Sequence, residues 1–137
     1  MGKVNKIEYI TIASTGNAAD FGDLTVSRNY GQSLSTSVRG VKAGGSNGGA
    51  NNTIDYVTIA STGDATDFGN LTVARSQSYG GMSDSTRGVV GGGTNPDNVT
   101  IDYITIATTG NAADFGDMSV QTGDTTNISD SHGGLSG

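Results

Sequence analysis

The chain has 137 residues with a net charge of −6, and its hydrophobic residues make up 33% beside 23 glycines. Because glycine buries little apolar surface, one chain can form only a thin core, and we expect it to depend on neighbouring chains. The 7 lysines and arginines are too few for the basic surface that nucleic acids or anionic membranes require. The chain has no cysteine and no apolar stretch long enough to cross a bilayer, so we expect neither disulfides nor membrane insertion.

One stretch of sequence occurs three times, at residues 7–28, 54–75 and 101–122. It begins at Ile7, Ile54 and Ile101, so the period is 47 residues. Repeats of this length are typical of stacked supersecondary units or propeller blades. We therefore interpret residues 1–137 as a single repeat domain whose repeats begin near 7, 54 and 101.

Each repeat is predicted to contain four β-strands, named a to d, and no helix. Gly, Thr, Ser, Asn and Asp dominate the composition, and no apolar series with helical spacing runs for three turns. In strand c, apolar side chains alternate onto both faces, which predicts a sheet covered on both sides. The predicted strands are c at 7–13, 54–60 and 101–107, d at 66–74 with its counterparts, a at 31–36, 79–84 and 126–131, and b at 39–44 and 87–92.

Two kinds of glycine have special positions in the repeat. Gly63 lies in the predicted turn between strands c and d, where a positive φ is expected, and it recurs as Gly16 and Gly110. Phe68-Gly69, inside strand d, predicts a β-bulge or the close approach of another backbone segment.

The order of these features resembles the kelch repeat of β-propellers. The matching positions are the double glycine that ends strand b, the tyrosine in strand c, the large aromatic that opens strand d and the arginine before the next strand a: Gly91-Gly92, Tyr56 or Tyr103, Phe68 or Phe115, and Arg75. Phenylalanine stands where kelch repeats usually carry tryptophan. The amino-acid sequence of the repeat also resembles repeats in tail-fibre and virion structural proteins of phages. The resemblance implies an all-β fold of kelch-like β-propeller blades, with about three four-stranded blades per chain.

The order of the strands predicts that oligomerisation completes the ring. The chain starts at strand c and ends at strand b of a blade, so we expect a c–d pair, two complete blades and a terminal a–b pair. Propellers usually close with about four to eight blades, so three are too few. The a–b end of one chain is expected to join the c–d end of another, as a heterologous contact that closes by rotation. A homodimer with six blades is preferred to a trimer with nine, and a β-solenoid or fibre segment is the alternative architecture.

The repeated carboxylates suggest two kinds of chemistry. Asp20, Asp67 and Asp114 precede Phe-Gly, and although oxygen-rich clusters can bind Ca²⁺, side-chain bonds to the nearby turn backbone are the preferred interpretation. Glu8, Asp55 and Asp102 are expected to line a rim or to pair with an arginine rather than to hydrolyse glycosides. The single histidine, His132, lacks a second ligand for a transition metal. We predict no catalytic residue, no metal and no cofactor.

A binding surface is predicted from aromatic, arginine and loop residues. Tyrosines between strands d and a could stack on a sugar, and loops on a rigid scaffold usually carry binding residues. Arginines could hold an anionic ligand, although a structural role is preferred, in which Arg28, Arg75, Arg39 and Arg87 pair with Asp67-type residues between blades. The candidate binding residues are Tyr30, Tyr79, Arg28, Arg75, Arg39, Arg87, Asn95 and Asp97.

These patterns favour a non-enzymatic structural or adhesive protein. With the phage resemblance, we expect a virion or tail-fibre component, made in the host cytoplasm, that associates with itself, with other virion proteins and with host-surface glycans. A ring of weak sites would gain affinity for a glycan through avidity. The alternative is a free, cytoplasmic lectin-like or protein-interaction propeller, or an engineered symmetric propeller, without a role in a virion.

Overall fold

A computed structural model of the chain describes residues 2–77, 80–94 and 98–121. Over these residues the protein is all-β, with ten strands and no helix. The strands are β1 (Lys6–Tyr9), β2 (Ala19–Asp23), β3 (Gln32–Ser35), β4 (Arg39–Ala43), β5 (Asn51–Thr58), β6 (Thr66–Arg75), β7 (Gly81–Ser83), β8 (Arg87–Gly91), β9 (Thr100–Thr105) and β10 (Ala113–Asp117).

The strands form three antiparallel sheets. Sheet I contains β1 and β2, sheet II has the order β3-β4-β5-β6, and sheet III has the order β10-β9-β8-β7. Each strand pairs with its neighbour along the chain, so the connections within a sheet are short. This arrangement confirms the all-β fold class predicted from the sequence.

The strands predicted for sheets II and III lie close to the observed ones. Strand d, predicted at 66–74, is β6 (Thr66–Arg75), and strand b, predicted at 87–92, is β8 (Arg87–Gly91). Strand c of sheet II begins three residues earlier than predicted, because Asn51 pairs with Arg75 at the end of β6. The predicted strands a and b from residue 126 onward lie outside the described residues.

Sheet I is shorter than the repeat predicts. β1 ends at Tyr9, although the prediction extends strand c to Ala13, and residues 8–20 are exposed. Strands β5 and β9 have a partner on each side, whereas β1 pairs only with β2 in the part of the chain that the structure describes. Because β1 has one partner strand instead of two, fewer hydrogen bonds extend it.

A β-bulge recurs near the start of strand d, as Phe68-Gly69 predicts. Asp67 and Gly69 pair with the consecutive residues Asp55 and Ile54 of β5, which leaves Phe68 as the extra residue. Gly69 has a φ of +144°, a conformation that residues with a side chain rarely adopt. The same register shift occurs in sheets I and III, where the extra residues are Phe21 and Phe115.

Sheets II and III contribute the hydrophobic core. Its buried residues are Leu34, Val41, Ala43, Ile54, Phe68, Leu71, Val90, Ile104, Ile106 and Ala112. Adjacent residues of β5, Ile54 and Asp55, are 0% and 1% exposed, so both faces of this strand are covered, as the alternation predicts. Each sheet also contains one T-shaped tyrosine–phenylalanine pair, with ring centroids 6.0, 5.9 and 6.1 Å apart in sheets I, II and III.

Candidate functional site beside the first sheet

A cavity of about 650 Å³ lies between sheet I and sheet II. Residues of β1, β3, β4 and β5 form its walls. Its lining includes charged residues such as Glu8 and Lys42 and apolar ones such as Ile7 and Val57. The cavity therefore borders a strand, β1, that has a single partner strand among the described residues.

Between sheets II and III, strands β3 and β4, which continue sheet II beyond β5, occupy the corresponding space. Leu34 of β3 packs on Gly88 of β8, where an added Cβ would lie 2.6 Å from both Cδ atoms of Leu34. Gln32, also on β3, donates from Nε2 to the carbonyl oxygen of Gly91 at 2.6 Å. The repeat counterpart of Gly88 is Gly40, and Gly40 lines the cavity. The cavity thus occupies the place where a further strand of sheet I would pack.

A buried ion pair borders this cavity and connects sheet I to sheet II. Arg28 Nη2 lies 2.9 Å from Asp55 Oδ2, and both side chains are 0% exposed. Thr25 Oγ1 donates to Asp55 Oδ1 at 2.5 Å, and Arg28 Nη2 also donates to the carbonyl oxygen of Lys42 at 3.1 Å. Burial lowers the pKa of Arg28, and the carboxylate of Asp55 opposes that effect. Removing either partner would leave an uncompensated buried charge.

The same ion pair recurs between sheets II and III. Arg75 Nη2 lies 2.6 Å from Asp102 Oδ2, and Thr72 Oγ1 donates to Asp102 Oδ1. Burial lowers the pKa of Arg75, again opposed by the carboxylate. The predicted pairing of arginines between repeats is present, but the prediction of Asp67-type partners is wrong. The partner is the strand-c aspartate, because this side chain faces the preceding sheet.

Glu8 occupies in sheet I the repeat position of Asp55 and Asp102, but its environment differs from theirs. It is exposed, whereas its counterparts Asp55 and Asp102 are 1% and 0% exposed. The arginines that bury those two aspartates come from the preceding sheet, and no described residue supplies an arginine ion pair to Glu8. Glu8 therefore carries an exposed carboxylate that has no arginine ion pair in the described part of the chain.

Lys42 makes the wall of this cavity more polar than the equivalent wall in sheet III. It pairs with Asp55 across the sheet, as Val90 pairs with Asp102. Val90 is buried, so an ammonium group stands at a position that is apolar one repeat later. Burial and the charge of Arg28 lower the pKa of Lys42, while Asp55 opposes them.

Two of the predicted binding residues, Arg39 and Arg87, lie on tyrosine rings. The Arg39 Cζ atom is 4.3 Å from the ring centroid of Tyr56, and Arg87 Cζ is 4.8 Å from that of Tyr103. Arg39 Nη1 also donates to the carbonyl oxygen of Ile106 at 2.8 Å, which links sheet II to sheet III. These cation–π contacts recur with the repeat and contribute to packing.

The other predicted binding residues fall into three groups. Arg28 and Arg75 are held in the buried ion pairs. Tyr30 is 44% exposed, in the connection from β2 to β3, and has a φ of +60°. Its repeat counterpart, Gln77, has a φ of +51°, so this backbone conformation belongs to the repeat rather than to a tyrosine site. The remaining three, Tyr79, Asn95 and Asp97, lie outside the described residues.

Two of the three Asp-Phe-Gly carboxylates, those of Asp67 and Asp114, bind backbone, as the preferred interpretation predicts. Asp67 Oδ1 accepts a hydrogen bond from the N–H of Gly69 at 3.2 Å, and Asp114 Oδ1 accepts one from Gly116 at 2.9 Å. Asp20 instead accepts a hydrogen bond from Lys6 Nζ at 3.0 Å. Over residues 2–77, 80–94 and 98–121, no three His, Cys, Asp or Glu side chains gather in one place.

Sequence reasoning missed a contact between neighbouring sheets, in which a turn of one sheet lies on the bulge of the sheet before it. At sheet I, the N–H of Gly63 donates to the carbonyl oxygen of Phe21 at 2.7 Å, and that of Ala65 donates to the carbonyl oxygen of Asp23 at 2.8 Å. In return, the N–H of Asp23 donates to Asp64 Oδ1 at 3.0 Å. We call this arrangement the turn–bulge contact.

The turn–bulge contact recurs 47 residues later, between sheets II and III. The N–H groups of Gly110 and Ala112 donate to the carbonyl oxygens of Phe68 and Asn70 at 2.7 and 2.9 Å. The N–H of Asn70 donates to Asn111 Oδ1 at 3.1 Å. The signal in the sequence is the triplet Gly-Asn/Asp-Ala, which occurs at 16–18, 63–65 and 110–112.

The described residues contain no helix that is long and apolar enough to span a membrane. No protein-family model matches the sequence, and comparison with curated proteins gives no match either.

Proposed function

We propose that this chain is a non-enzymatic structural protein whose copies assemble into a closed ring of kelch-like β-propeller blades. Two chains would form a ring of six blades, and three chains would form a ring of nine. The observation that carries the proposal is the cavity beside β1, at a position that two strands fill one repeat later. A second chain would supply the missing strands.

The edge of β1 that has no partner strand among the described residues supports this assembly. Sheets II and III each have four strands, and sheet I has two among the described residues. The edge of β5 or β9 that pairs with β4 or β8 corresponds to the edge of β1 that has no partner there. An unpaired edge next to an open cavity favours strand addition, because unsatisfied backbone groups and apolar side chains would be covered together.

The sequence contains a segment suited to this edge. Residues 128–131 are Ile-Ser-Asp-Ser, and residues 82–85, which include the end of β7, are Met-Ser-Asp-Ser. The same segment of a second chain would provide strand a, and the glycine-rich residues that follow would provide strand b. Glycine is needed there, since Gly88 in sheet III already packs against Leu34 without room for a Cβ.

Native mass spectrometry tests the proposal. A closed ring gives one discrete mass, that of a dimer or a trimer, over a wide range of concentrations. A folded monomer at low micromolar concentration would contradict the proposal, and a ladder of masses growing with concentration would indicate an open fibre instead.

The proposed role of the ring is structural rather than catalytic. The buried carboxylates Asp55 and Asp102 are neutralised by arginines and hydrogen-bonded by threonines, so they are not free to act as general acids or bases. The resemblance of the repeat to phage fibre repeats supports a place in a virion or tail fibre. Presence of the protein in purified particles, measured by mass spectrometry, tests this setting, and its absence from them would contradict it.

A second candidate function is weak binding of surface glycans by the ring. The observation in its favour is Tyr30, which is 44% exposed on a loop between two sheets. An exposed tyrosine ring is suited to stacking on a sugar face. A glycan array tests this candidate with the native protein and with Tyr30→Ala, both with chelator present. Binding that Tyr30→Ala abolishes supports the candidate, and absence of binding by the native assembly contradicts it.

A further inference from the structure

The turn–bulge contact leaves one turn and one bulge without a partner among the described residues. The turns at 63–65 and 110–112 lie on the bulges of β2 and β6. The turn at 16–18 lies on no bulge, and the bulge of β10 at 115–117 carries no turn in the described part of the chain. The chain thus presents both halves of a contact that it makes twice within itself.

Two observations show that no described residue covers the bulge at 115–117. A Cβ added at Gly22 or Gly69 would lie 2.2 or 2.3 Å from the carbonyl oxygen of the turn glycine, whereas one added at Gly116 would meet nothing within 4 Å. The phenylalanine of the bulge responds in the same way: Phe68 is 3% exposed and Phe115 is 55% exposed. The docked turn thus contributes to the burial of Phe68, and Phe21, which also carries a docked turn, is partly buried.

The turn and the bulge that have no partner among the described residues have the same sequences as a turn and a bulge that do make the contact. Residues 15–23 and residues 109–117 are both Thr-Gly-Asn-Ala-Ala-Asp-Phe-Gly-Asp. The second of these segments contains the turn that docks on β6, and the first contains the bulge on which the turn 63–65 docks. Each open half therefore has the same residues as a half that makes the contact elsewhere in the chain.

We propose that the turn 16–18 of one chain docks on the bulge 115–117 of a second chain. The N–H groups of Gly16 and Ala18 would donate to the carbonyl oxygens of Phe115 and Asp117, and the N–H of Asp117 would donate to Asn17 Oδ1. This inference rests on the proposed self-assembly and specifies its interface. The occupant is a second copy of this chain, because the interface continues a contact already present between its sheets. The contact is heterologous, so it closes into a ring or continues as a filament.

A neighbouring position agrees with this geometry. Thr25 and Thr72 donate to the aspartates of the next sheet, and their counterpart in the last repeat is the exposed Ser119. In the docked pair, Ser119 of one chain would face Glu8 of the next. The arginine position of this repeat is occupied by Thr122, so the contact between chains lacks the buried ion pair. We expect the chains to separate at lower denaturant concentrations than those that unfold sheets II and III.

Engineered disulfides test the proposal, since the chain has no cysteine of its own. The variant with Asp23→Cys and Asp64→Cys calibrates the geometry, because Asp64 Oδ1 lies 3.0 Å from the Asp23 nitrogen within one chain. The test mixes two single variants, Asn17→Cys and Asp117→Cys, under mild oxidation. We expect the mixed disulfide to exceed the two symmetric ones by at least about fivefold, since a tenfold preference needs only about 1.4 kcal/mol. A statistical mixture from chains that assemble would overturn the inference.

A charge substitution provides the second readout. Ala18 is exposed in the single chain and its counterpart Ala112 is 9% exposed, so Ala18→Glu should disturb the docked state alone. We expect Ala18→Glu to raise the dissociation constant of the assembly at least about tenfold by placing a carboxylate against Asp117. Ser37→Glu, which adds the same charge at an exposed turn, is the control. Unchanged assembly of Ala18→Glu overturns the turn–bulge interface but leaves the ring, and a native chain that is monomeric throughout overturns both.

Discussion

Gly69 of sheet II lies against Gly110 of sheet III, so closely that a Cβ on Gly69 would be 2.3 Å from the Gly110 carbonyl oxygen. Two separate constraints therefore act on Gly69: the backbone of the next sheet and its own φ of +144°. Gly116 has a similar φ, +141°, without the neighbouring backbone. The two glycines form a matched pair that separates conformational strain from contact between sheets.

Substitution of Gly69 should therefore cost more than substitution of Gly116. We expect Gly69→Ala to lower the free energy of unfolding by about 4 kcal/mol and Gly116→Ala by about 2 kcal/mol, since strain alone is worth roughly 1–3 kcal/mol. Urea unfolding gives both values from the transition in which sheets II and III unfold, after the chains have separated. Equal losses would show that the close approach of Gly110 contributes nothing.

The buried ion pair between Arg75 and Asp102 should be strongly coupled. We expect Arg75→Met or Asp102→Leu alone to destabilise the fold by about 3–5 kcal/mol, because each leaves a buried charge without its partner. The double variant should recover most of this loss, since two apolar side chains leave no buried charge. A double-mutant cycle from urea unfolding measures the coupling, and additive losses would contradict a direct pair.

Lys42 should destabilise the fold at neutral pH. The pKa of Lys42 in the folded protein lies below the usual 10.5. Between the folded-state pKa and 10.5, the unfolded chain therefore binds more protons than the folded chain, and stability rises with pH across that window. Replacement by valine, the residue at the same position in sheet III, should stabilise the fold by about 1 kcal/mol at neutral pH.

The advantage of Lys42→Val should shrink as the pH rises toward 10.5, because the wild-type lysine then becomes neutral in the folded state. Arg28 and Asp55 are present in both proteins, and their interactions with the ammonium group of Lys42 are part of the difference that is measured. Urea unfolding of both proteins at neutral and alkaline pH provides the measurement. A difference that grows with pH would contradict a lowered pKa.

Ile12 and Ile106 occupy the same repeat position in opposite environments. Ile106 is 1% exposed and its carbonyl oxygen accepts a hydrogen bond from Arg39, whereas Ile12 is 94% exposed. We expect Ile106→Ser to cost about 3 kcal/mol and Ile12→Ser less than about 0.5 kcal/mol in the unfolding transition that follows separation of the chains. In the proposed ring, the neighbouring chain would bury Ile12, and its Arg87 would donate to the Ile12 carbonyl oxygen as Arg39 donates to that of Ile106. Ile12→Ser should therefore weaken assembly, as analytical ultracentrifugation can measure.

Much of the fold could be predicted from the sequence because the repeat provides three samples of each element. Phe68-Gly69 indicated a bulge, and the alternation in strand c indicated two covered faces. The expectation that the turn glycine Gly63 needs a positive φ was less useful, because its φ of +157° is close to extended backbone. The glycine that its backbone conformation requires more strictly is Gly69, with a φ of +144°. The early end of β1 at Tyr9 was not predictable from the repeat, because strand length depends on the neighbouring strands as well as on the sequence.

The candidate site was harder to predict. The sequence indicated that arginines and acids meet between repeats, but Asp55 and Asp67 are both repeated, and periodicity alone does not distinguish them. The distinction depends on which face of the sheet turns toward the preceding one. The turn–bulge contact consists mainly of backbone hydrogen bonds, which leave little signal in the sequence. The signal is that small residues such as Gly63 and Ala65 recur at the same spacing in each repeat.

The central claim is that a second chain completes sheet I beside β1. An X-ray crystal structure of the assembled protein tests it most directly. The account predicts that strands from the last residues of one chain pair with β1 of the next, around a central axis with six blades. A structure in which β1 faces solvent in every chain, or in which the sheets wind along a shaft, would contradict it.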